Sequence, residues 1–375
     1  MEVESVLRES DRVSAMEKVR GLADAGDVAG LDKALYHVSV DVGGDWAFDG
    51  GQLVQLLRNM PTTKRVSLLT RMTESLEETA VHAPDRCRGL ASLIVLVARG
   101  LSAEELAPWR EPLLDCAAAE MSFWEGWRLT CLVEVERAAG RSLPDAVIAT
   151  IRRSALTSLD PGELGVLAPT FTQPVLNPGE PWAERVIADL AGSAPAWHAL
   201  VAHALTASGS RPTGKWQRLG STLLADAGPV EARRAITSWL AHAGEPRTTP
   251  VRSFHRKGTA HFELDPFNAP ALRGLAALLA LTPAHPQSAA TLADLVEAAL
   301  IRLPGIGLRS PKLASAAVQA LTRLGDDDAY TELRRLASAV QYRPTLKAIN
   351  TALAQRPAPP DRVASDRTCA GPGGI

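Results

Sequence analysis

Cationic side chains are concentrated in one polar segment of the chain, residues 244–268, where helical periodicity is lost. No acidic residue lies between Arg247 and His261, and the cationic residues in this interval are Arg247, Arg252, His255, Arg256, Lys257 and His261. Positive charge gathered on a polar segment accelerates docking to an acidic protein surface or a phosphate backbone. We therefore predict that the segment binds an anionic partner, and we expect a solvated loop that buries little.

A second candidate site is the glycine-containing stretch LPGIGLRSPKL, residues 303–313, which three aspartates follow at 326–328. Backbone N–H groups of such a turn can hold a phosphate at a helix N-terminus. The stretch resembles the start of the DNA-binding turn of helix-hairpin-helix glycosylases, but Arg309 stands where that motif has its lysine nucleophile, and Pro311 replaces a small residue. We interpret it as a stop between two helices, with Ser310 and Pro311 beginning the second helix and the aspartates beginning the next one.

Aromatic and acidic residues also cluster in PWREPLLDCAAAEMSFWEGW, residues 108–127. The candidate groove residues are Trp109, Glu120, Trp124 and Trp127. The cluster resembles the groove of HEAT-like DNA glycosylases, in which Trp and Asp or Glu hold a damaged nucleotide. That resemblance implies a DNA-processing enzyme. The simpler interpretation is that the aromatic rings pack between helices.

Metal and cofactor motifs are weak. His198 and His203 lie five residues apart, which places them about 140° apart around a helix and favours core or surface histidines over metal ligands. The stretch RPTGKW, residues 211–216, lacks the first glycine of a P-loop and is typical of a loop that enters a helix. The four cysteines form no C-x-x-C pair, so we expect reduced thiols. We predict neither a metal nor a cofactor.

The elements that position these residues are predicted to be helices. Apolar residues recur with helical spacing along the chain, as in TLADLVEAALIRL at residues 291–303, and alternating strand patterns are missing. Prolines separate the helical stretches, and helix-turn-helix units of about 40 residues are typical of HEAT or armadillo repeats. We predict an all-α, HEAT/armadillo-like α-solenoid of about fifteen helices in stacked antiparallel pairs. A compact irregular helical fold is the alternative.

Changes in composition divide the chain into four predicted regions. They are N-terminal helical repeats at residues 1–243, the polar basic loop at 244–268, C-terminal helical repeats at 269–355 and a disordered, Pro- and Gly-rich tail at 356–375. The N-terminus has no basic start followed by an apolar run, and the longest apolar stretch is too short to span a bilayer. We expect a cytoplasmic protein without membrane contact.

The C-terminal part resembles the helical region of MolR-like bacterial proteins. The residues that carry the resemblance lie between 264 and 354 and include LPGIGLRSPKL and VQYRPTLKAI, residues 340–349. In that family a segment resembling Pro-Gly-x-Gly-x-Arg-Ser-x-Lys joins two solenoid helices, and a C-terminal domain of unknown function follows the region. The sequence ends soon after Ala354, so we expect that domain to be absent.

Composition narrows the classes of function. Hydrophobic residues make up 46% and charged residues 22%, as in ordinary globular proteins, and a net charge of -2 disfavours a nucleic-acid partner. We predict a non-enzymatic interaction or scaffold module that binds a protein partner with an acidic surface. The alternatives are a HEAT-like DNA-processing enzyme, of the glycosylase or genotoxin self-resistance type, and a degenerate MolR-like paralogue without activity.

Overall fold

The chain is helical almost throughout. A computed structural model describes residues 2–40, 52–82, 87–98, 100–120, 126–157, 162–252 and 259–355. These residues form eighteen α-helices and two hairpins of very short strands, which confirms the predicted all-α class. The predicted number of about fifteen helices is too low. Helices as short as Gly162–Leu167 contain too few residues to display a helical period.

The described residues of the first half form nine α-helices and two 3-10 turns, at Ala107–Trp109 and Ala168–Thr170. The helices are α1 (Glu2–Ala25), α2 (Val28–Val40), α3 (Gln52–Asn59), α4 (Thr62–His82), α5 (Cys87–Ala98), α6 (Arg110–Ala118), α7 (Gly126–Ala138), α8 (Asp145–Thr157) and α9 (Gly162–Leu167).

The second half contains another nine helices and both hairpins. The helices are α10 (Pro181–Leu190), α11 (Pro195–Leu205), α12 (Gly214–Ala227), α13 (Pro229–Ala241), α14 (Ala269–Leu279), α15 (Pro286–Ala299), α16 (Pro311–Leu324), α17 (Asp327–Ala339) and α18 (Arg343–Ala354). The strands are β1 (Val251–Arg252), β2 (Thr259–Ala260), β3 (Arg302–Leu303) and β4 (Gly307–Leu308).

Local sequence signals set the helix starts. Pro181, Pro195, Pro229 and Pro286 each occupy the first position of a helix, where the missing N–H costs nothing. The predicted caps are confirmed. The Ser310 side chain accepts a hydrogen bond from the Leu313 N–H at the start of α16. The Asp326 side chain accepts one from the Ala329 N–H at the start of α17, whose first turn carries the other two aspartates.

Alternate helices of the second half pack on one another. Helices α12, α14, α16 and α18 contact each other in that order, and so do α13, α15 and α17, with α10 against α13. Consecutive helices such as α15 and α16 also pack together. Eight of these nine helices therefore form two layers, which we call the even layer (α12, α14, α16, α18) and the odd layer (α10, α13, α15, α17). Helix α11 packs against α12 and α14.

The buried apolar side chains form two large clusters. One contains residues between Val19 and Ala168, and the other contains residues between Leu176 and Ala352. The cores divide between Ala168 and Leu176, not at the predicted boundary of 244–268. Helices on both sides of that segment share one core, because α13 packs directly on α14 and α15.

The segment 244–268 differs from the predicted solvated loop. Its described parts contain the antiparallel pair β1 and β2, in which Val251 is opposite Ala260 and both are buried. Asp265 and Asn268 near its end are fully buried. Polar residues can be buried in this way when their groups find hydrogen-bond partners inside the protein.

None of the described helices combines the length and the apolar character that crossing a membrane requires.

Candidate functional site

Two of the three candidate sites drawn from the sequence, the segment 244–268 and the aromatic groove, meet at an ion pair between Arg252 and Glu120. Arg252 Nε donates to Glu120 Oε1 at 2.7 Å, and Arg252 Nη2 donates to the Cys116 carbonyl oxygen at 3.3 Å. The Arg252 N–H donates to the Ala119 carbonyl oxygen at 2.7 Å, so the two backbones run side by side. The side chains of Arg252 and Glu120 are 17% and 2% exposed. The Arg252 guanidinium is therefore mostly buried and hydrogen-bonded within the protein.

Arg247 also points inward. Its N–H donates to the His261 carbonyl oxygen at 2.7 Å, and its Nε donates to the Thr249 carbonyl oxygen at 3.2 Å. Arg247 is buried, whereas His261 is exposed. The remaining three candidates, His255, Arg256 and Lys257, lie outside the described residues. The binding role of this segment stays a prediction, and two of its six residues face the interior.

The predicted aromatic groove is not assembled from Trp109 and Glu120. Trp109 is 7% exposed and belongs to the first apolar core, which confirms the packing interpretation for this ring. The Glu120 carboxylate is held by Arg252, so it does not face an open groove. Trp124 lies outside the described residues, as does the side chain of Trp127.

A buried polar cluster lies where α8 meets the segments that precede α10 and α14. Arg153 on α8 donates from Nη1 to Asp265 Oδ2 at 2.9 Å, and Asn177 Nδ2 donates to Asp265 Oδ1 at 3.1 Å. Asn177 and Asn268 form two hydrogen bonds with each other. The Asn177 N–H donates to Asn268 Oδ1, and Asn268 Nδ2 donates to the Asn177 carbonyl oxygen, both at 2.8 Å. Asn268 Nδ2 also donates to Glu180 Oε2 at 2.9 Å. The cluster joins the two cores through hydrogen bonds and an ion pair.

Burial raises the pKa of Glu180, and the neighbouring Asp265 carboxylate raises it further. Arg247 and the hydrogen bond from Asn268 oppose this rise. The Asp265 N–H donates to Glu180 Oε1 at 3.2 Å, so the two acidic residues are adjacent in the buried cluster. Arg247 therefore places a positive charge near the buried Glu180 carboxylate.

Sequence reasoning missed the residues that form this cluster, among them the consecutive arginines Arg152 and Arg153. Arg152 donates to the carbonyl oxygens of Pro174 and Phe171 at 2.8 Å each, which satisfies a stretch of chain without helical partners. A signal for this role existed. Arg152 follows Ile148 by four residues and precedes Ala155 by three, so it occupies an apolar position of the helical period.

The turn in LPGIGLRSPKL is a tight hairpin between α15 and α16. The Ile306 N–H donates to the Leu303 carbonyl oxygen at 3.2 Å, and Gly305 has a φ of 75°. Arg309 donates to the carbonyl oxygens of Phe262 and Ala243 at 2.6 Å each. The interpretation as a stop between two helices is confirmed. Arg309 binds backbone in the segment 244–268 and at Ala243, just before it.

A basic surface in the even layer is a feature that sequence reasoning missed. The stretches 190–225, 266–293 and 298–325 contain no Asp or Glu. Most of α12, α14 and α16 comes from these stretches, and these three helices are neighbours in the fold. We call their outward surface the basic face, and its exposed cationic residues are Lys215, Arg218, Lys312 and Arg323, together with Arg211 just before α12. The acid-free stretches were the available signal.

A cleft of about 250 Å³ lies in the basic face. Its alanine lining comes from α14 and α16, and consists of Ala277, Ala280, Ala316 and Ala320. Arg211 Nε donates to Gln319 Oε1 at 2.8 Å, and Arg323 Nη1 donates to Gln217 Oε1 at 2.7 Å. Both arginines are exposed and are bound to neutral amides, so their positive charges are not compensated locally.

His203 lies beneath this surface. Its Nε2 lies 3.0 Å from the Trp216 carbonyl oxygen, and its ring stacks on Trp216 at 4.2 Å between centroids. Burial lowers the pKa of His203. Within the described part of the chain, no three or more His, Cys, Asp or Glu side chains are grouped so that they could hold a metal ion.

Comparison of the chain with protein-family models, with curated proteins and with solved structures finds no match.

Proposed function

We propose that this chain is a non-enzymatic, HEAT-like α-solenoid module that binds an acidic protein surface through its basic face. The observation that carries the proposal is the charge segregation in the even layer. Although the whole chain has a net charge of -2, three neighbouring helices and the residues just before α12 present five exposed cationic residues from acid-free stretches. Segregated charge of this kind orients and accelerates docking to a complementary surface.

The solenoid part of the proposal is supported by the packing of alternate helices. Stacked antiparallel helix pairs place helix i against helix i+2, and the even and odd layers have these contacts. We propose the same organisation for residues 264–354 as in the helical region of MolR-like proteins. The hairpin at Pro304 and Gly305 and the cap at Ser310 are consistent with a segment that joins two solenoid helices.

The alanine-lined cleft favours a protein partner over a nucleic acid. Small side chains let a partner helix or strand approach closely, and apolar contacts of this kind give little to a phosphate backbone. Arg211 and Arg323 flank the alanines, so an acidic residue of the partner would meet either guanidinium. The expected partner segment carries small apolar residues between acidic ones.

The test uses charge reversal on matched surfaces. The double variant Arg211→Glu, Arg323→Glu changes the basic face. The control variant Arg234→Glu, Arg334→Glu makes the same charge change at exposed positions of the odd layer. Binding of a fluorescent, Glu- and Ala-rich model helix is measured by anisotropy at low salt. We expect the first variant to lose about tenfold or more in affinity and the control variant to bind like the wild type.

A short DNA duplex is measured in parallel under the same conditions. Tighter binding of the duplex that depends on Arg211 and Arg323 would replace the protein-binding proposal with a nucleic-acid one. Equal loss in both variants would show that only net charge matters and would also overturn it. With cell extract from the source organism, the partner is the protein that the wild type and the control variant retain and the Arg211, Arg323 variant loses.

A further inference from the structure

A second concave site lies between the β3–β4 hairpin and the turn that joins α17 to α18. The cleft has a volume of about 810 Å³, within the range of small-molecule sites at roughly 300–1,000 Å³. It is distinct from the basic face, because its walls come from the end of α15, the hairpin and residues 339–344.

The hairpin register explains which side chains face the cleft. Arg302 is directly opposite Leu308 in the antiparallel pair, so both side chains project from the same face, and both line the cleft. Leu303 projects from the other face and is 6% exposed. The alternation of side chains along the strand therefore buries Leu303 and places Arg302 beside Leu308 in the cleft.

The opposite wall repeats this combination. Tyr342 and Pro344 supply apolar surface, and the exposed Arg343 lies between them in the chain. Neither Arg302 nor Arg343 has an acidic partner within 4.0 Å among the described residues. Glu297 is the acidic residue of the lining, and its Oε1 accepts a hydrogen bond at 2.8 Å from Arg335 Nη1, an arginine that also pairs with Glu332 and Asp294.

The start of α18 adds to the positive potential. Tyr342 is the N-cap of this twelve-residue helix and makes no side-chain cap hydrogen bond. The start of a helix carries partial positive charge, and Arg343 is the first residue of α18. The cleft thus combines two cations and a helix start with walls from Leu300, Leu308, Val340 and Tyr342.

From this combination we infer that the cleft binds a small amphipathic anion, with an apolar body against the leucine and tyrosine walls and a carboxylate or phosphate between Arg302 and Arg343. A charged hydrogen bond from each guanidinium fixes the headgroup, and apolar contact fixes the body.

The experiment is a calorimetric titration of the full chain with naphthaleneacetate and with its uncharged amide. We expect the carboxylate to bind more tightly than the amide. Arg302→Gln and Arg343→Gln should each weaken carboxylate binding by about tenfold and leave amide binding unchanged. Arg334→Gln removes the same charge at an exposed position outside the cleft and should have no effect. Leu308→Asn should weaken both ligands by a similar factor.

Thermal unfolding of each variant shows whether it is folded, and the two glutamine variants lose no ion pair within the described structure. The inference is overturned if the carboxylate and the amide bind equally, if neither gives a saturable heat signal, or if the folded Arg302 and Arg343 variants bind naphthaleneacetate like the wild type. The Arg211→Glu, Arg323→Glu variant keeps both cleft arginines. The outcome of the acidic-helix experiment therefore does not affect the interpretation of this titration.

Discussion

Arg153 and Asp265 are 112 residues apart in the chain, and their side chains form an ion pair at 2.9 Å in which both are almost completely buried. Arg153 lies on α8, whose apolar residues belong to the first core, and Asp265 precedes α14, which belongs to the second. Arg153 also donates to the Glu120 carbonyl oxygen at 2.9 Å. The pair therefore connects three segments that are distant in sequence.

Removing one partner of this pair should be strongly destabilising. Arg153→Met is expected to lower the free energy of unfolding by about 3–5 kcal/mol, because Asp265 would keep a buried carboxylate without its counter-ion. Arg218→Met, at an exposed position of α12, should change it by less than about 0.5 kcal/mol. Urea denaturation measures both. In the double variant Arg153→Met, Asp265→Asn, the cost should be smaller than the sum of the single costs, and additive costs would contradict the coupling.

Arg252 should behave as a structural residue and not as a free cation. Arg252→Glu would place a second carboxylate beside the buried Glu120, so we expect a loss of about 3 kcal/mol or more in the free energy of unfolding. Arg218→Glu makes the same charge change on an exposed surface and should leave the unfolding midpoint nearly unchanged. Equal unfolding curves for the Arg252 variant and the wild type would show that the ion pair contributes nothing.

Glu180 should give stability a defined dependence on pH. Since its pKa is raised in the folded state, the folded protein retains a proton that the unfolded chain releases between the two pKa values. The stabilisation is present at low pH and is lost as pH rises through the folded pKa. Glu180→Gln should flatten the curve of unfolding free energy in the range where pH rises from the ordinary glutamate pKa through the raised pKa of the folded state. Glu231→Gln, at an exposed position of α13, should keep the wild-type slope. The assignment fails if both variants keep it.

Gly305 should resist substitution because of its backbone conformation. Its φ of 75° is in the left-handed region, so Gly305→Val is expected to cost about 1–3 kcal/mol. Gly305→Asn should cost less, since asparagine tolerates this conformation better than a β-branched residue. Thermal unfolding compares the two variants. Similar losses in both would mean that the loss comes from side-chain crowding and not from φ.

Much of the local structure could be predicted. The helical period indicates the all-α class, and the caps at Ser310 and Asp326 lie where the side-chain types predict them. These signals are local, because a helix and its cap depend on residues only a few positions apart. The same reasoning predicted the turn at Pro304 to Gly307 and its role as a stop between helices.

The candidate sites could be predicted only in part, and the segment 244–268 shows why. Arg247 and Arg252 have the same appearance in the sequence whether they are solvated or buried. Their burial depends on Glu120 and Glu180, which are distant in the chain and come close only in the folded protein. Local composition therefore predicted a solvated loop where the described parts of the segment are anchored to the interior.

The sequence alone determined that this protein is made of helices, where most of them begin, and that three of its stretches contain no acids. The tertiary structure decided that α12, α14 and α16, most of which come from these stretches, are neighbours in one layer, that Arg302 and Arg343 border one cleft, and that Arg153 meets Asp265. The physical reason is the distance along the chain over which each kind of interaction acts. Helix formation is governed by contacts within a few residues, whereas a charged surface, a cleft or a buried ion pair exists only after packing has brought distant residues together.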